Sequence, residues 1–334
     1  MEAADHVRTY LVETLAELRA PSAAAPATAT SADELADQIF TLVTSREFCY
    51  LSRTKTAPYR ERTVQLMRRR IGLGEPFRFF YDIGPGYHAS LRPGEEPLRF
   101  HLGLSELLIL AQIAKLCRSI SLLYEHGARF WLVVDNICGL RTNDIPLEPT
   151  EQYCEDLRAL IRDVTLEDRV ELIVESETFS LDEYDRLLSG LPVGPLPDPT
   201  PKEIANVARF LGRECTAAEA AERIERYRRT GPVTDRLVDA LVRDVHMTQR
   251  ATGATLGFRP FPGGDARTQV GEVVLTRSPK GHLRPILVTD QNVDAYELTS
   301  FSFPDVLPPT IPSVLFAELR SRSTALLRSD GASA

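Results

Sequence analysis

The stretch Ala128-Arg129-Phe130-Trp131-Leu132-Val133-Val134-Asp135-Asn136-Ile137-Cys138-Gly139 is an apolar strand that runs straight into an acid, an amide and a glycine. Two other segments have the same form. Residues 77–83 end on Asp82-Ile83 and lead into Gly84-Pro85-Gly86-Tyr87-His88, and residues 170–174 lead into Glu175-Ser176-Glu177. Between the three lie segments of helical apolar spacing, residues 104–126 and 151–163. The alternation reads βαβαβ, which predicts a parallel sheet with helical crossovers. In such a sheet the carboxyl ends of the strands share one edge, and ligands bind in the crevice outside it. The three polar clusters are therefore expected at one site.

Working outward, residues 6–19 carry Val7, Leu11, Leu15 and Leu18 near helical spacing and are followed by an Ala/Pro/Thr tract, which predicts an N-terminal helix and linker over residues 1–30. Ser31 and Glu34 form a capping pattern ahead of Leu35, Ile39 and Leu42, so the α/β core is expected over 31–191. A helix is expected over 61–71, stopping at Gly72-Leu73-Gly74. Thr200-Pro201-Lys202-Glu203 and Thr216-Ala217-Ala218-Glu219 repeat the capping pattern, and residues 234–252 carry Leu237, Leu241 and Val245 at helical spacing. This predicts a helical insertion over 192–252. Strand character returns at 255–258, 270–276 and 285–288, and Ser278-Pro279-Lys280-Gly281 suits a type I turn. The expected fold is thus α/β, a Rossmann-like mixed sheet with parallel core strands, a helical insertion and a C-terminal antiparallel hairpin. Residues 253–328 complete the core, and 329–334 form a disordered tail.

The chain has 334 residues and a formal net charge of −8, which argues against a general nucleic-acid binder. No apolar run is long enough to span a bilayer, and the N-terminus has neither the basic region nor the apolar region of a secretory signal, so a cytoplasmic protein is expected. Its five cysteines, Cys49, Cys117, Cys138, Cys154 and Cys215, include no Cys-x-x-Cys pair, which supports neither a disulfide framework nor a structural zinc site. The 39 basic residues include four lysines, Lys55, Lys115, Lys202 and Lys280, a bias that reads as genomic composition more than as phosphate binding.

Several residues are candidates for chemistry. Asp135 ends a nearly all-apolar strand, where a carboxylate is costly without partners, and Asn136 is its companion. Glu175 and Glu177 stand two apart, so both point to one face while the strand persists, an arrangement suited to acid and base work or to a solvated strand end. His88 and His101 flank a long Gly/Pro loop, and either can act as acid or base. The turn Gly84-Pro85-Gly86 permits backbone amides to approach an anion, although it is not GxGxxG. Arg259, Asp265 and Arg267 sit among Gly and Pro, where arginine forks can grip a carboxylate or phosphate, or one Asp–Arg pair can be structural. Cys138 has no visible helix start or base beside it and reads as an inert thiol. Arg68-Arg69-Arg70 reads as a solvated helix face. His88, Asp135 and Glu175 together form a candidate metal set, although no compact ligand motif accompanies them.

From Gly74 to about Ile161 the order of features resembles the pyoverdine/dityrosine biosynthesis family, best known for amino-acid isocyanide synthases. The residues that carry this are Glu75-Pro76-Phe77, Leu104-Ser105-Glu106-Leu107, the helix end Ile120-Ser121-Leu122-Leu123-Tyr124-Glu125-His126-Gly127-Ala128, the strand into Asp135-Asn136, Asp144 and Tyr153. Leu256-Gly257-Phe258-Arg259-Pro260-Phe261-Pro262 is similar to that family's late Arg-containing strand. Two blocks depart from the pattern. Tyr87-His88-Ala89-Ser90 stands where the family has Lys-Ser-Pro-Asn, and Arg284-Pro285-Ile286 where it has Pro-Trp-His. The resemblance implies an enzyme of specialised metabolism that acts on the amino group of an amino acid, with no redox cofactor and with ribulose 5-phosphate as candidate co-substrate. Asp135 then orients the amine, His88 or Glu175 moves protons, and Arg259 with Arg267 holds an anion; Asp265, Asn136 and Tyr87 complete the substrate-binding set. A non-catalytic binding protein that keeps the fold and a metal-dependent amino-acid-modifying enzyme are the alternatives.

Overall fold

A computed structural model of the chain describes residues 2–20, 31–49, 53–83, 102, 104–190, 198–211, 215–241, 245–246, 258, 272–277, 283–288, 298–301 and 325–328. Four helices come first: α1 (Glu2–Arg19), α2 (Ala32–Val43), the short α3 (Arg53–Thr56) and α4 (Arg60–Leu73). The α/β unit follows with β1 (Phe77–Asp82), α5 (Leu104–Ser121), β2 (Ala128–Val134), α6 (Asn136–Asn143), α7 (Leu147–Asp163), β3 (Val170–Val174), α8 (Glu175–Thr178) and α9 (Leu181–Ser189). Then come α10 (Pro201–Leu211), α11 (Ala217–Leu241) and β4 (Val245–His246). The last strands are β5 (Glu272–Arg277), β6 (Leu283–Val288), β7 (Leu298–Phe301) and β8 (Ala325–Arg328). No described helix is long and apolar enough to cross a membrane.

The expected α/β core with parallel strands is present. One sheet has the order β3-β2-β1-β4 and all its pairings are parallel. Asp82 pairs with Val133, and Val134 with Val174, so the carboxyl ends of β1, β2 and β3 are level. Alternation along the strands divides the side chains between two faces. Phe77, Phe79 and Tyr81 join Phe130, Leu132, Val134, Val170 and Val174 in the main core, which α1, α2, α4, α5 and α7 cover with residues such as Leu15, Ile39, Met67, Ile113 and Leu157. On the other face Phe80 and Val133 are buried beside Trp131 and Ile173. Arg78 stacks over the Trp131 ring there, and Trp131 Nε1 donates to Glu171 at 2.8 Å.

The capping patterns act as their residue types dictate. Ser31 Oγ accepts from Glu34 N at 3.1 Å, and Thr216 Oγ1 from Glu219 N at 3.2 Å. Thr200 and Glu203 cap reciprocally, with Glu203 N donating to Thr200 Oγ1 at 3.3 Å and Thr200 N donating to Glu203 Oε2 at 2.8 Å.

Several expectations are corrected. The antiparallel strands do not extend the parallel sheet into a mixed one. β5 pairs antiparallel with β6, and both belong to a second sheet of order β6-β5-β8-β7. β4 occupies the place beside β1 instead. β4 lies inside the stretch read as helix over 234–252, because Leu237, Leu241 and Val245 fit a helical stripe that the chain leaves after Leu241. The helix expected to begin at Thr234 is the second half of α11, which runs unbroken through Pro232. The helix expected over 104–126 stops at Ser121, whose Oγ donates back to Cys117 O at 2.9 Å. Tyr124 N then bonds Ile120 O and the chain turns into β2 at Gly127, φ 63°. Of the residues expected in a strand over 255–258, Phe258 is described, as an isolated bridge to Cys49. The linker, the turn at 278–281 and the tail at 329–334 lie outside the described residues.

Candidate active site

The level ends of β2 and β3 bring Asp135, Asn136 and Glu175 together. β2 passes directly into α6, with Asp135 as the residue before its first turn, φ −84° and ψ 54°. An aspartate in that position commonly caps its own helix. Here the Asp135 side chain makes no such bond, and the cap comes from the neighbouring strand. Glu175 Oε2 accepts from Cys138 N at 2.9 Å, and the carboxylate also meets the Ile137 amide. A carboxylate at that place satisfies amides that have no partner inside the helix and complements the helix dipole.

β3 ends in the same way. Glu175 does not continue the strand but opens the single turn α8, which corrects the expectation that Glu175 and Glu177 share a face. Glu175 turns inward and is 2 % exposed; Glu177 turns out to solvent and pairs with Arg158 at 2.6 Å. The first turns of α6 and α8 are tied by a reciprocal pair. Asn136 Nδ2 donates to Ser176 Oγ at 2.7 Å, and Ser176 N donates to Asn136 Oδ1 at 3.0 Å. Asn136 is therefore a buried clasp between two strand ends. Arg141 adds a bidentate bond from α6 to Asp185 of α9, at 2.9 and 2.6 Å.

Behind Glu175 runs a buried chain of hydroxyls. Glu175 Oε1 accepts from Thr234 Oγ1 at 3.0 Å, and Tyr184 OH lies 3.0 Å from Thr234 Oγ1 and donates to Thr230 O at 3.1 Å. Thr230 Oγ1 is 2.7 Å from Thr142 Oγ1, which is 3.7 Å from Cys138 Sγ. Ile137, Tyr184, Val233 and Leu237 form the apolar cluster around it. The hydroxyl network and this cluster dock α11 on α6 and α9.

The electrostatics follow from burial. Desolvation pushes the Glu175 carboxyl up to about 7, and the charge of Asp135 adds to the rise; the Cys138 and Ile137 amides and the Thr234 hydroxyl act the other way without overcoming it. The Cys138 thiol does sit at a helix start, contrary to the sequence reading. A helix N-terminus lowers a thiol, but here burial and the charges of Asp135 and Glu175 push it up to about 11. It remains an inert thiol for a different reason. Burial also raises Tyr184, whose hydroxyl stays protonated as a donor.

A second buried pair lies between α5 and α7, where Tyr153 OH donates to Glu106 Oε1 at 3.2 Å. Both residues belong to the resemblance noted above. Asp144, the third, is an exposed left-handed helix end at φ 56° whose carboxylate pairs with Arg226 at 2.9 Å. Arg68 and Arg70 are paired too, with Asp33 and Glu75.

Of the residues singled out from sequence, Asp135, Asn136 and Glu175 converge. Tyr87, His88, His101, Arg259, Asp265 and Arg267 lie outside the described residues. Among the described residues no three His, Cys, Asp or Glu converge as metal ligands. Sequence reasoning missed Ser176, Tyr184, Thr230 and Thr234. The four-residue spacing of Thr230 and Thr234 was a usable signal, since it places two hydroxyls on one face of a helix.

No protein-family profile matches the chain, and no curated protein matches it. Among solved structures it is similar to the crystal structure of the PvcA protein from Pseudomonas aeruginosa, at 18 % identity and a TM-score of 0.57, over 80 % of this chain and 96 % of that one. At that identity the likeness shows a shared fold.

Proposed function

We propose that this chain is a biosynthetic enzyme of the isocyanide-synthase kind, distantly related to the pyoverdine/dityrosine biosynthesis family, which acts on the amino group of an amino acid. The observation that carries the reading is the half-buried Asp135 at the carboxyl end of a central parallel strand, in a fold shared with PvcA. The order β3-β2-β1-β4 supports a Rossmann-like reading of the core, because strand order reverses beside β1 and ligand crevices form at such reversals.

In this proposal Asp135 orients the amine as its counter-charge. His88 moves protons at the reacting centre, and Arg259 with Arg267 holds the carboxylate or phosphate, supported by Asp265 and Tyr87. Glu175 was the other candidate for proton transfer. A carboxyl that titrates near 7 is matched to that task at neutral pH. Both of its oxygens, however, accept bonds from α6 and α11, so it acts on the substrate through the Asp135 corner. Ribulose 5-phosphate is the candidate co-substrate. The replacement of the Lys-Ser-Pro-Asn block by Tyr87-His88-Ala89-Ser90 favours a second reading, a ligand-binding protein that keeps the fold without the chemistry.

Mass spectrometry of the pure protein with an amino-acid mixture, with and without ribulose 5-phosphate labelled at its ketone carbon, separates these readings. A product that retains the label supports isonitrile formation. Consumption of an amino acid without the label indicates a diverged enzyme on the same amine. Saturable thermal stabilisation by an amino acid with no consumption indicates the binding protein.

A further inference from the structure

The Asp135 corner is assembled from three parts of the chain that are distant in sequence: the end of β2, the end of β3 and the middle of α11. The first two are level because the sheet is in register. The third has no sheet pairing to place it, and its polar link to the corner is Thr234 Oγ1, which donates to Glu175 Oε1 at 3.0 Å. A hydroxyl has one proton. With that proton given to Glu175, the single Tyr184 proton lies between Thr230 O at 3.1 Å and Thr234 Oγ1 at 3.0 Å, so one bonded chain links Tyr184, Thr234, Glu175 and the Cys138 amide. The link is buried at every member: Thr234 is 7 % exposed, Glu175 2 % and Tyr184 0 %. Buried polar chains that are fully bonded specify one arrangement, because each broken bond leaves a group without water to replace its partner.

We propose that Thr234 is a positioning residue: from α11 it holds the Glu175 carboxylate against the first turn of α6, and so sets where Asp135 stands at the end of β2. The geometry supports this in two ways. Asp135 does not cap α6, so the start of the helix is held by Glu175 in its place. Val233 and Leu237 flank Thr234 on the docked face of α11, beside Ile137 of α6, so the hydroxyl arrives with an apolar seal around it. The helical segment between β3 and β4 therefore acts on the corner although it carries none of the residues assigned to the substrate. The functional meaning of this inference rests on the reading of Asp135 as the amine-facing group; the structural coupling does not.

The titratable group that raises Glu175 is Asp135, the charge of Glu175 in turn raises the Cys138 thiol and Tyr184 that face it, and Thr234 favours the ionised form of Glu175. The test is a set of three variants, Thr234→Val, Thr234→Ser and Tyr184→Phe, read by amide hydrogen exchange and by the pH dependence of unfolding. Thr234→Val keeps the shape and removes the donor. It is expected to lower protection of the Ile137 and Cys138 amides about tenfold and to move the midpoint of the Glu175 titration upward by about half to one pH unit. Thr234→Ser is expected to restore both. Where an amino acid is turned over, Thr234→Val lowers kcat and leaves KM unchanged, because Thr234 does not touch substrate.

If Thr234→Val lowers stability equally at every pH, with unchanged midpoint and unchanged protection in α6, Thr234 only packs and the proposal is overturned. Should Thr234→Val not fold, Tyr184→Phe decides by the same two readouts with a smaller shift. Absence of amino-acid turnover in the unaltered protein removes the proposed function, while exchange and midpoint still decide the role of Thr234.

Discussion

The two edges of the parallel sheet meet the same difficulty in different ways. At the amino edge, Glu75 lies just ahead of β1 in the turn made by Gly74, φ 64°, and Gly127, φ 63°, makes the neighbouring turn into β2. Its carboxylate is partly exposed and pairs with Arg70, and the Tyr124 hydroxyl donates to the Glu75 carbonyl at 3.0 Å. At the carboxyl edge, Glu175 is sealed from solvent and held by an amide and a hydroxyl, with another carboxylate, Asp135, close enough to raise it. The first edge places a charge where water and a cation stabilise it. Among the described residues nothing cationic pairs with the Glu175 carboxyl at the second edge, a costly arrangement of the kind that clusters at functional sites and on which the proposed function draws.

Asp135 carries the largest expected effect of the two edges. Under the proposed function Asp135→Asn abolishes turnover and leaves the unfolding midpoint near that of the unaltered protein; an unchanged rate removes Asp135 from the mechanism. The next largest effect is in the pH dependence. The folded Glu175 carboxyl titrates at about 7, above its ordinary 4.5, so the folded state binds a proton that the unfolded state has released. Its contribution to stability is complete below about 4.5 and is lost as pH rises through about 7, in total roughly 3 kcal/mol. Denaturant unfolding across this range is expected to show that fall, and Glu175→Gln is expected to flatten it while keeping an acceptor for Cys138 N.

Smaller effects belong to the amino edge. Gly127→Ala is expected to cost about 1–2 kcal/mol, because φ is positive there and an added Cβ would lie 2.9 Å from Ser121 Oγ. Glu75→Ala is expected to cost less than about 1 kcal/mol, as for other solvent-screened pairs. Equal losses for Glu175→Ala and Glu75→Ala would erase the distinction between the edges; the expected loss at Glu175 is about 2–4 kcal/mol, since the buried Cys138 amide loses its acceptor and Thr234 keeps Tyr184 alone of its two side-chain partners here.

Legibility followed locality. Asp135 and Glu175 were readable because each ends an apolar run, and a carboxylate there breaks a pattern that neighbouring residues establish. The caps at Ser31, Thr200 and Thr216 were readable because donor and acceptor are three residues apart. The divergence of Glu175 and Glu177 was not, because period-two alternation holds while a strand lasts and the strand ends at Val174. β4 was hidden by its own stripe: Leu237, Leu241 and Val245 satisfy a helical spacing, and the pairing of Val245 with Phe79 is non-local. Burial of Leu15 and Leu18 of α1 in the main core was equally unreadable, since the helix that covers them, α5, lies a hundred residues on.

By itself the sequence determined the α/β alternation, the parallel strands, the helix starts marked by Ser31, Thr200 and Thr216 and the carboxylates at the strand ends, since all of these follow from apolar period and from contacts within a few residues. Tertiary structure decided which oxygen meets which donor. It turned Glu175 inward and Glu177 outward, gave the cap of α6 to Glu175 rather than to Asp135, and brought Thr234 fifty-nine residues back to the corner. Those choices depend on strand register and helix docking, which arise from the burial of the whole apolar surface and leave no local trace in the order of residues.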